Sequence, residues 1–449
     1  MSHPPSQSRG RPALWLAALT VAAFWGAVYD VGRWVYLFAH NPVHIDFSLF
    51  YVAAQAGLRH GWGALYDVNT LRSLSASLPE GERYTFVFPP LLAWLIAPLT
   101  LLPLPAAYLV WTLASVAALG WVWYTCAPYR GLAKVALLLA ALAVWPVLDS
   151  FYYGQPLMIV LGLVALAWWL CLSERPLAAG AALAIATALK PQVVILVPAA
   201  LLVGGRYRAF IGWAVSCGVL AAVFLAALGE SGVTGWWQAL QYGRSDPGQS
   251  FFTLARIFGV GPLTLGLEAL LGIAALAIAW RSRGDLQVVF AVGLLGSLVS
   301  GFHLRQSDYA TLVLAAWLVL RTSPPLWHRL WLLGGVATLQ AVTLGEPIPQ
   351  LMWDAGWLLI LGVSTWGGSS LSDVHSQSRK GDLFQSAQAR GWKPQRGSDE
   401  PVQREPRTAG VVAVLKKHSG AAKDAAVFVR EALTKKNEPR FRKNPDCDR

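Results

Sequence analysis

Charge is what this 449-residue chain lacks most. Only 13% of its residues are Asp, Glu, Lys or Arg, about half the share of an ordinary soluble protein. A single large water-soluble globule is excluded on that ground. Cysteine is scarce as well. Cys126, Cys171, Cys217 and Cys447 form no CxxC pair, so neither a disulfide framework nor a zinc site is implied. There is no Walker loop, no GxGxxG behind a strand, no HExxH and no GxSxG, which argues against soluble nucleotide chemistry and serine hydrolysis. No internal repeat is visible, and no metal or cofactor is expected.

Apolar residues are abundant instead. They make up 55% of the chain, with 22 Trp, far too much for disorder. The reading is an all-α polytopic membrane protein. Its candidate spans are 13–39, 106–126, 134–150, 156–172, 177–189, 191–204, 209–228, 259–280, 285–301, 309–321, 329–345 and 350–366, so about 10–12 transmembrane helices are expected. Arg9 and Arg11 precede the first run as in a signal peptide, but the run lacks a small-x-small cleavage site and reads as a retained helix. Residues 87–105 are apolar but carry Pro89, Pro90, Pro98, Pro103 and Pro105. Proline removes backbone donors and kinks helices, so this stretch is expected to be re-entrant or interfacial.

The net charge of +12 is uneven. Residues 367–449 hold 17 Lys and Arg against 10 Asp and Glu, and residues 1–366 hold 19 against 14. The excess sits in a tail and in short loops rather than on one face, so a nucleic-acid partner is not expected. With the N-terminus inside and 87–105 not crossing, Arg9/Arg11, Arg130/Lys134, Arg175, Arg206/Arg208, Arg281/Arg283 and Arg321/Arg329 all fall on the cytoplasmic side. The domains expected are a cytoplasmic N-terminus (1–12), a membrane domain (13–366) with an outer segment at 41–105, and a basic, mostly disordered cytoplasmic tail (367–449). The tail's attraction would be to anionic membrane lipid.

The opposite side collects an unusual polar set. In the segment His44–Ala54, Phe47, Phe50, Tyr51, Ala54 and Leu58 recur at helical spacing, predicting an amphipathic helix along the outer interface. Asp46 at its start reads equally as an N-cap or as a general base facing the bilayer surface. His44 and Tyr51 flank it as candidate substrate contacts. The turn Phe86-Val87-Phe88-Pro89-Pro90 would wall a cavity. Lys190 is one of only two lysines in residues 1–366 and ends a run of 13 apolar residues, about 20 Å of helix. It either snorkels to water or meets a phosphate below the outer surface. In Phe302–Tyr309, His303, Arg305 and Asp308 cluster. Arg305 either pairs with Asp308, or the three bind an anion or a sugar. Arg256 is a further anion candidate. Asp30 and Arg33, spaced i, i+3, are expected to pair. Polar residues on one face of an apolar bundle are a functional-site hypothesis by default.

Taken in order, Asp46-Phe47, Phe50-Tyr51, Ala53-Ala54, Gly61, Leu65-Tyr66, Phe88-Pro89-Pro90, Tyr153-Gly154-Gln155 and Ala188-Leu189-Lys190-Pro191 resemble glycosyltransferase family 87, over roughly residues 40–320. The resemblance implies a GT-C membrane fold. It also implies transfer of a hexose, mannose first, from a polyprenyl-phosphate donor to a lipid or glycan acceptor with inversion. The active site would lie on the extracytoplasmic side of the cell membrane. By position, the family's catalytic aspartate corresponds to Asp46, its basic residue to Lys190 and its later His loop to His303. Gln155 and Asp308 join the substrate contacts, and Arg305 and Arg256 join Lys190 on the donor phosphate. The competing readings are a multi-span transporter or lipid flippase, and a non-catalytic scaffold acting through the tail. Carriers tend to show paired broken helices in both halves, and no such pairing is visible here.

Overall fold

The computed structural model describes residues 14–40, 45–76, 85–245 and 252–367. His44, the N-terminus and the tail lie outside these. Every described element is helical. The chain runs α1 (Leu14–His40), α2 (Ile45–His60), a 3-10 turn (Trp62–Tyr66), α3 (Val68–Ser75), α4 (Pro90–Ile96), a second 3-10 turn (Ala97–Leu101) and α5 (Leu104–Cys126). Next come α6 (Leu132–Leu142), α7 (Trp145–Tyr152), α8 (Leu157–Leu172), α9 (Pro176–Leu189), a 3-10 turn (Pro191–Val193), α10 (Leu196–Val203) and α11 (Tyr207–Ser245). The last part is α12 (Ala255–Phe258), α13 (Pro262–Arg281), α14 (Leu286–Val299), a 3-10 turn (Gln306–Ala310), α15 (Thr311–Leu320), α16 (Leu326–Thr343) and α17 (Ile348–Gly367).

Each apolar run of the sequence is helical. Among the described residues, α5, α11 and α13 are individually long and apolar enough to cross a membrane, and α6 with α7, bent by 60°, are so only as a pair, as one broken span or a re-entrant loop. The remaining apolar helices include short ones. α9 and α14 have 14 residues each and α8 has 16, about 21–24 Å and less than a ~30 Å hydrocarbon layer. They are short because polar turns end them inside the bundle, where irregular backbone is tolerated only when protein buries it. α9 and α10 meet at such a break, and Lys190 is the residue at which α9 stops. The Oγ of Ser297 accepts from the Leu196 amide at 3.0 Å, so a side chain of α14 satisfies the start of α10.

Helices approach at small residues, as membrane packing favours. A Cβ on Gly180 of α9 would lie 2.2 Å from the Ala209 carbonyl oxygen of α11, and one on Gly212 would lie 2.4 Å from that of Leu177. The helix ends carrying Arg321 and Lys134 come together. Arg321 Nη1 reaches the Thr125 and Cys126 carbonyls and Lys134 Nζ donates to the Tyr124 carbonyl at 2.8 Å. Cations there suit the negative end of the α5 dipole.

Three expectations need correction. α2 lacks the exposed polar face that its spacing predicts. Phe47, Phe50, Tyr51 and Ala54 are buried as predicted, but so are Val52, Ala53 and Ala56 on its other side, while Leu58 is exposed. The helix is packed between α4, α5 and the Trp62–Tyr66 turn, and its alanines permit close approach on the face that periodicity assigned to water. The segment after residue 228, expected as loop, remains helical to Ser245. Gly229 (φ +62°) breaks α11 at a kink, beyond which a second helical limb begins. Finally, Asp30 and Arg33 do not form a close ion pair, although the guanidinium stays within electrostatic reach of the carboxylate. The Arg33 guanidinium stacks over Trp145 at 3.8 Å, and Asp30 is buried with Gln340 as its hydrogen-bonding neighbour. The 87–105 stretch is broken as its prolines require, with Pro90 and Pro98 each in the first turn of a short helical piece.

Candidate active site

The site is assembled where the start of α2 docks on the turn between α7 and α8. The Phe47 amide donates to the Tyr153 carbonyl at 3.1 Å. Gly154 makes this possible. Its φ is +66°, and a Cβ there would fall 2.7 Å from the Phe47 Cβ, closer than carbon atoms pack. α5 holds the turn from behind, with Trp111 Nε1 donating to the Gly154 carbonyl at 2.8 Å and the Tyr108 hydroxyl to that of Phe151 at 2.5 Å. The Phe47 ring sits edge-on against Tyr108. Asp46 and Gln155, distant in sequence, are thereby held side by side.

From there a chain of polar contacts runs inward. Gln155 Nε2 donates to Asp46 Oδ2. Lys190 Nζ donates to Gln155 Oε1 at 2.8 Å and forms an ion pair with Asp308 Oδ1 at 2.5 Å. The other oxygen of Asp308 accepts from the Arg305 amide at 2.9 Å. Lys190 and Asp308 are 1% and 0% exposed, and Gln155 is 4% exposed. Asp46 is half-buried, so the chain is sealed at the Asp308 end and open at the Asp46 end. A buried pair of this kind must be fully hydrogen-bonded to persist, and each of its members here has a second partner.

This arrangement redistributes the roles expected from the sequence. Lys190 neither snorkels nor presents a free ammonium to the site, because Asp308 neutralises it and Gln155 Oε1 accepts a hydrogen bond from it. Asp308 pairs with Lys190 and with the Arg305 backbone, not with the Arg305 guanidinium. That guanidinium is half-buried, has no ion-pair partner among the described residues, and lies within electrostatic reach of Tyr153. Burial, reinforced by the carboxylates of Asp149 and Asp46, pushes the Tyr153 hydroxyl up to about 12, so it stays a neutral donor. Tyr51 is not brought into the cluster. It is buried, and its hydroxyl donates to the Leu102 carbonyl at 2.8 Å. His303 is half-buried two residues from Arg305, in the loop after α14. Arg256 is exposed on α12, and its amide donates to the Thr253 carbonyl at 3.0 Å. The Phe88-Pro89-Pro90 turn packs beside α2, with Phe88 edge-on to Phe50 at 4.9 Å and its carbonyl accepting from the Tyr66 hydroxyl at 2.8 Å.

Sequence reasoning passed over Asp149. It is 5% exposed on α7 and lies within electrostatic reach of Asp46, Lys190 and Asp308. The signal was present, since a carboxylate inside an apolar run is costly and seldom idle. Trp111 and Tyr108, which fix the turn, left no such signal. Among the described residues, no group of three His, Cys, Asp or Glu side chains converges as metal ligands.

Residues 86–303 match the profile of glycosyltransferase family 87. That segment holds Gln155 and Lys190, while Asp46, Arg305 and Asp308 lie outside it. The chain is 32% identical over 312 residues to the polyprenol-phosphate-mannose-dependent alpha-(1-2)-phosphatidylinositol pentamannoside mannosyltransferase of Mycolicibacterium smegmatis, covering 60% of this chain and 68% of that protein. It is 30% identical over 334 residues to the protein of the same name from Mycobacterium tuberculosis, covering 68% and 71%. No solved structure matches the chain.

Proposed function

The chain belongs to glycosyltransferase family 87 and is a multi-pass membrane glycosyltransferase, and from that premise we propose that it moves a mannosyl unit from a polyprenyl-phosphate donor to a lipid or glycan acceptor with inversion. The observation that carries the reading is the Asp46–Gln155–Lys190–Asp308 chain, which ends in a half-buried carboxylate, with Asp46 and the Arg305 guanidinium both within electrostatic reach of Tyr153.

In this mechanism the acceptor hydroxyl attacks the anomeric carbon from the face opposite the phosphate. Asp46 Oδ1 takes the hydroxyl proton as the new C–O bond forms. The bond from the anomeric carbon to the phosphate oxygen breaks, and the polyprenyl phosphate leaves with one more negative charge than it carried in the donor. Arg305 stabilises that growing charge, as a fork of donors suited to phosphate oxygens. His303 and Tyr153 face donor or acceptor hydroxyls, and Arg256 meets the phosphate at the rim. Lys190 is a positioning residue. By donating to Oε1 of Gln155 it fixes which way round the amide sits, so that the NH₂ group faces Asp46. Asp46 is then held in one orientation, with Oδ2 engaged by Gln155.

The donor tail also has a place to lie. An apolar groove of about 560 Å³ opens between the Pro90–Leu101 segment, α5 and α8, lined by Leu95, Leu99, Ala118, Leu163 and Trp111. Trp111 is the residue whose indole holds Gly154, so the groove ends at the catalytic turn. An isoprenoid chain there would leave its phosphate near the turn that Trp111 holds.

The site faces the extracytoplasmic side of the plasma membrane in this reading. α15 supports it, since the helix runs from the Asp308 turn at one end to Arg321 at the other, and Arg321 gathers with Lys134 at the basic ends. Membranes carrying the protein and supplied with labelled polyprenyl-phosphate mannose test the assignment. Asp46→Asn is expected to lower transfer by about 10²–10⁴-fold with folding unchanged. Transfer at the wild-type rate would remove Asp46 as the base.

A further inference from the structure

A second cavity lies at the far end of α2. From Asp46 to His60 the helix advances 14 residues, about 21 Å, and beside His60 a cleft of about 1120 Å³ opens between the Trp62–Tyr66 turn and the limb of α11 beyond Gly229. On that limb Glu230, Thr234 and Gln238 recur every four residues, so one polar stripe of the helix faces the cleft. His60 and Asp67 stand opposite, and the buried Tyr66 also borders the cleft.

The two walls are fixed by backbone contact. A Cβ on Gly63 would meet the Leu228 carbonyl oxygen at 2.9 Å, and one on Gly232 would meet the Gly63 Cα at 2.9 Å. The cleft is also tied to the catalytic region. Tyr66 stacks on Trp236 with ring centroids 6.1 Å apart, bonds the Phe88 carbonyl, and packs with Phe86 against Phe50 of α2. None of this machinery is used by the transfer step.

The lining speaks for one ligand chemistry. It holds two carboxylates, an amide, hydroxyls and an imidazole. Asp67 caps α3, where the Thr70 hydroxyl and Asn69 amide keep its carboxyl below the ordinary range and therefore ionised. Glu230 has no ion-pair partner among the described residues and is the open acceptor. Such walls repel a phosphate or a uronic acid and offer little to an aliphatic chain. A neutral polyol brings many hydroxyl donors and satisfies them. We propose that this cleft binds a neutral oligosaccharide, namely the part of a glycan acceptor that lies several sugar units from the hydroxyl being glycosylated. The proposal rests on the transferase reading for its biological meaning, and on the cleft alone for its binding chemistry.

The test titrates full-length protein in lipid nanodiscs with mannotetraose and, separately, with tetragalacturonate as an acidic probe of equal length, read by calorimetry. Mannotetraose is expected to bind and tetragalacturonate not to. Glu230→Gln and Gln238→Ala should each weaken mannotetraose about tenfold, one hydrogen bond's worth. Thr234→Trp, at an exposed position, should fill the cleft and abolish binding. The proposal is overturned if mannotetraose does not bind, if its affinity is the same in all three variants, or if the acidic probe binds as well. Mannosyl transfer measured on the same nanodiscs separates the two readings. Absent transfer with retained, Glu230-dependent tetraose binding would remove the transferase mechanism and leave the cleft as an oligosaccharide site.

Discussion

Gln155 has an ammonium against its amide oxygen and a carboxylate against its amide nitrogen, and that polarity makes the site directional. Lys190 and Asp308 hold the inner end, where each ion is tolerable only because the other is present. Lys190→Met should therefore strand a buried carboxylate, at a cost of about 3–5 kcal/mol, and appear as a lowered unfolding temperature in detergent. Lys190→Met combined with Asp308→Leu should recover most of that temperature without recovering transfer, because Gln155 is no longer oriented. Recovery of transfer in the double variant would show that Lys190 and Asp308 serve folding alone. Arg305→Ala tests the other end of the site. Losing a charge-assisted contact to phosphate should raise the donor KM about 10–100-fold while leaving the unfolding temperature unchanged, since among the described residues the guanidinium has no ion-pair partner to strand.

Whole helices, rather than single contacts, decide whether these side chains meet. Asp46 reaches Gln155 only because α2 seats on Gly154, whose positive φ and missing Cβ both serve the contact. Gly154→Ala should cost about 1–3 kcal/mol and abolish transfer with every polar site residue intact, which thermal unfolding and labelled transfer would report together. Likewise α9 is set against α11 by Gly180 and Gly212, with no room for a Cβ. Gly180→Val should push α9 outward and move Lys190 away from Asp308. Unchanged transfer by that variant would mean that the break at Lys190 is positioned by α14 alone. At this scale the sequence was legible in part. Run lengths and prolines located the helices and the break at Lys190. The burial of α2 on both sides was hidden, because Ala53 and Ala56 carry no amphipathic signal and become core residues only when another helix approaches them.

For the molecule as a whole, every side chain placed in the candidate site lies between residues 46 and 308. A chain ending at residue 367 should keep the wild-type rate of mannosyl transfer in isolated membranes, and its loss would give the basic tail a catalytic part. What the sequence by itself determined is the class of protein and the positions where polarity interrupts it. The cost of a charge in hydrocarbon makes Asp46, Lys190 and Asp308 conspicuous without any coordinates. The tertiary structure alone decided the pairings. Arg33 sits one helical turn from Asp30, yet it stacks on Trp145. Arg305 lies three residues from Asp308, yet that carboxylate takes a lysine from another helix. The partner of a buried charge is chosen by which helix faces it across the bundle, and that choice depends on packing among distant segments rather than on spacing along the chain.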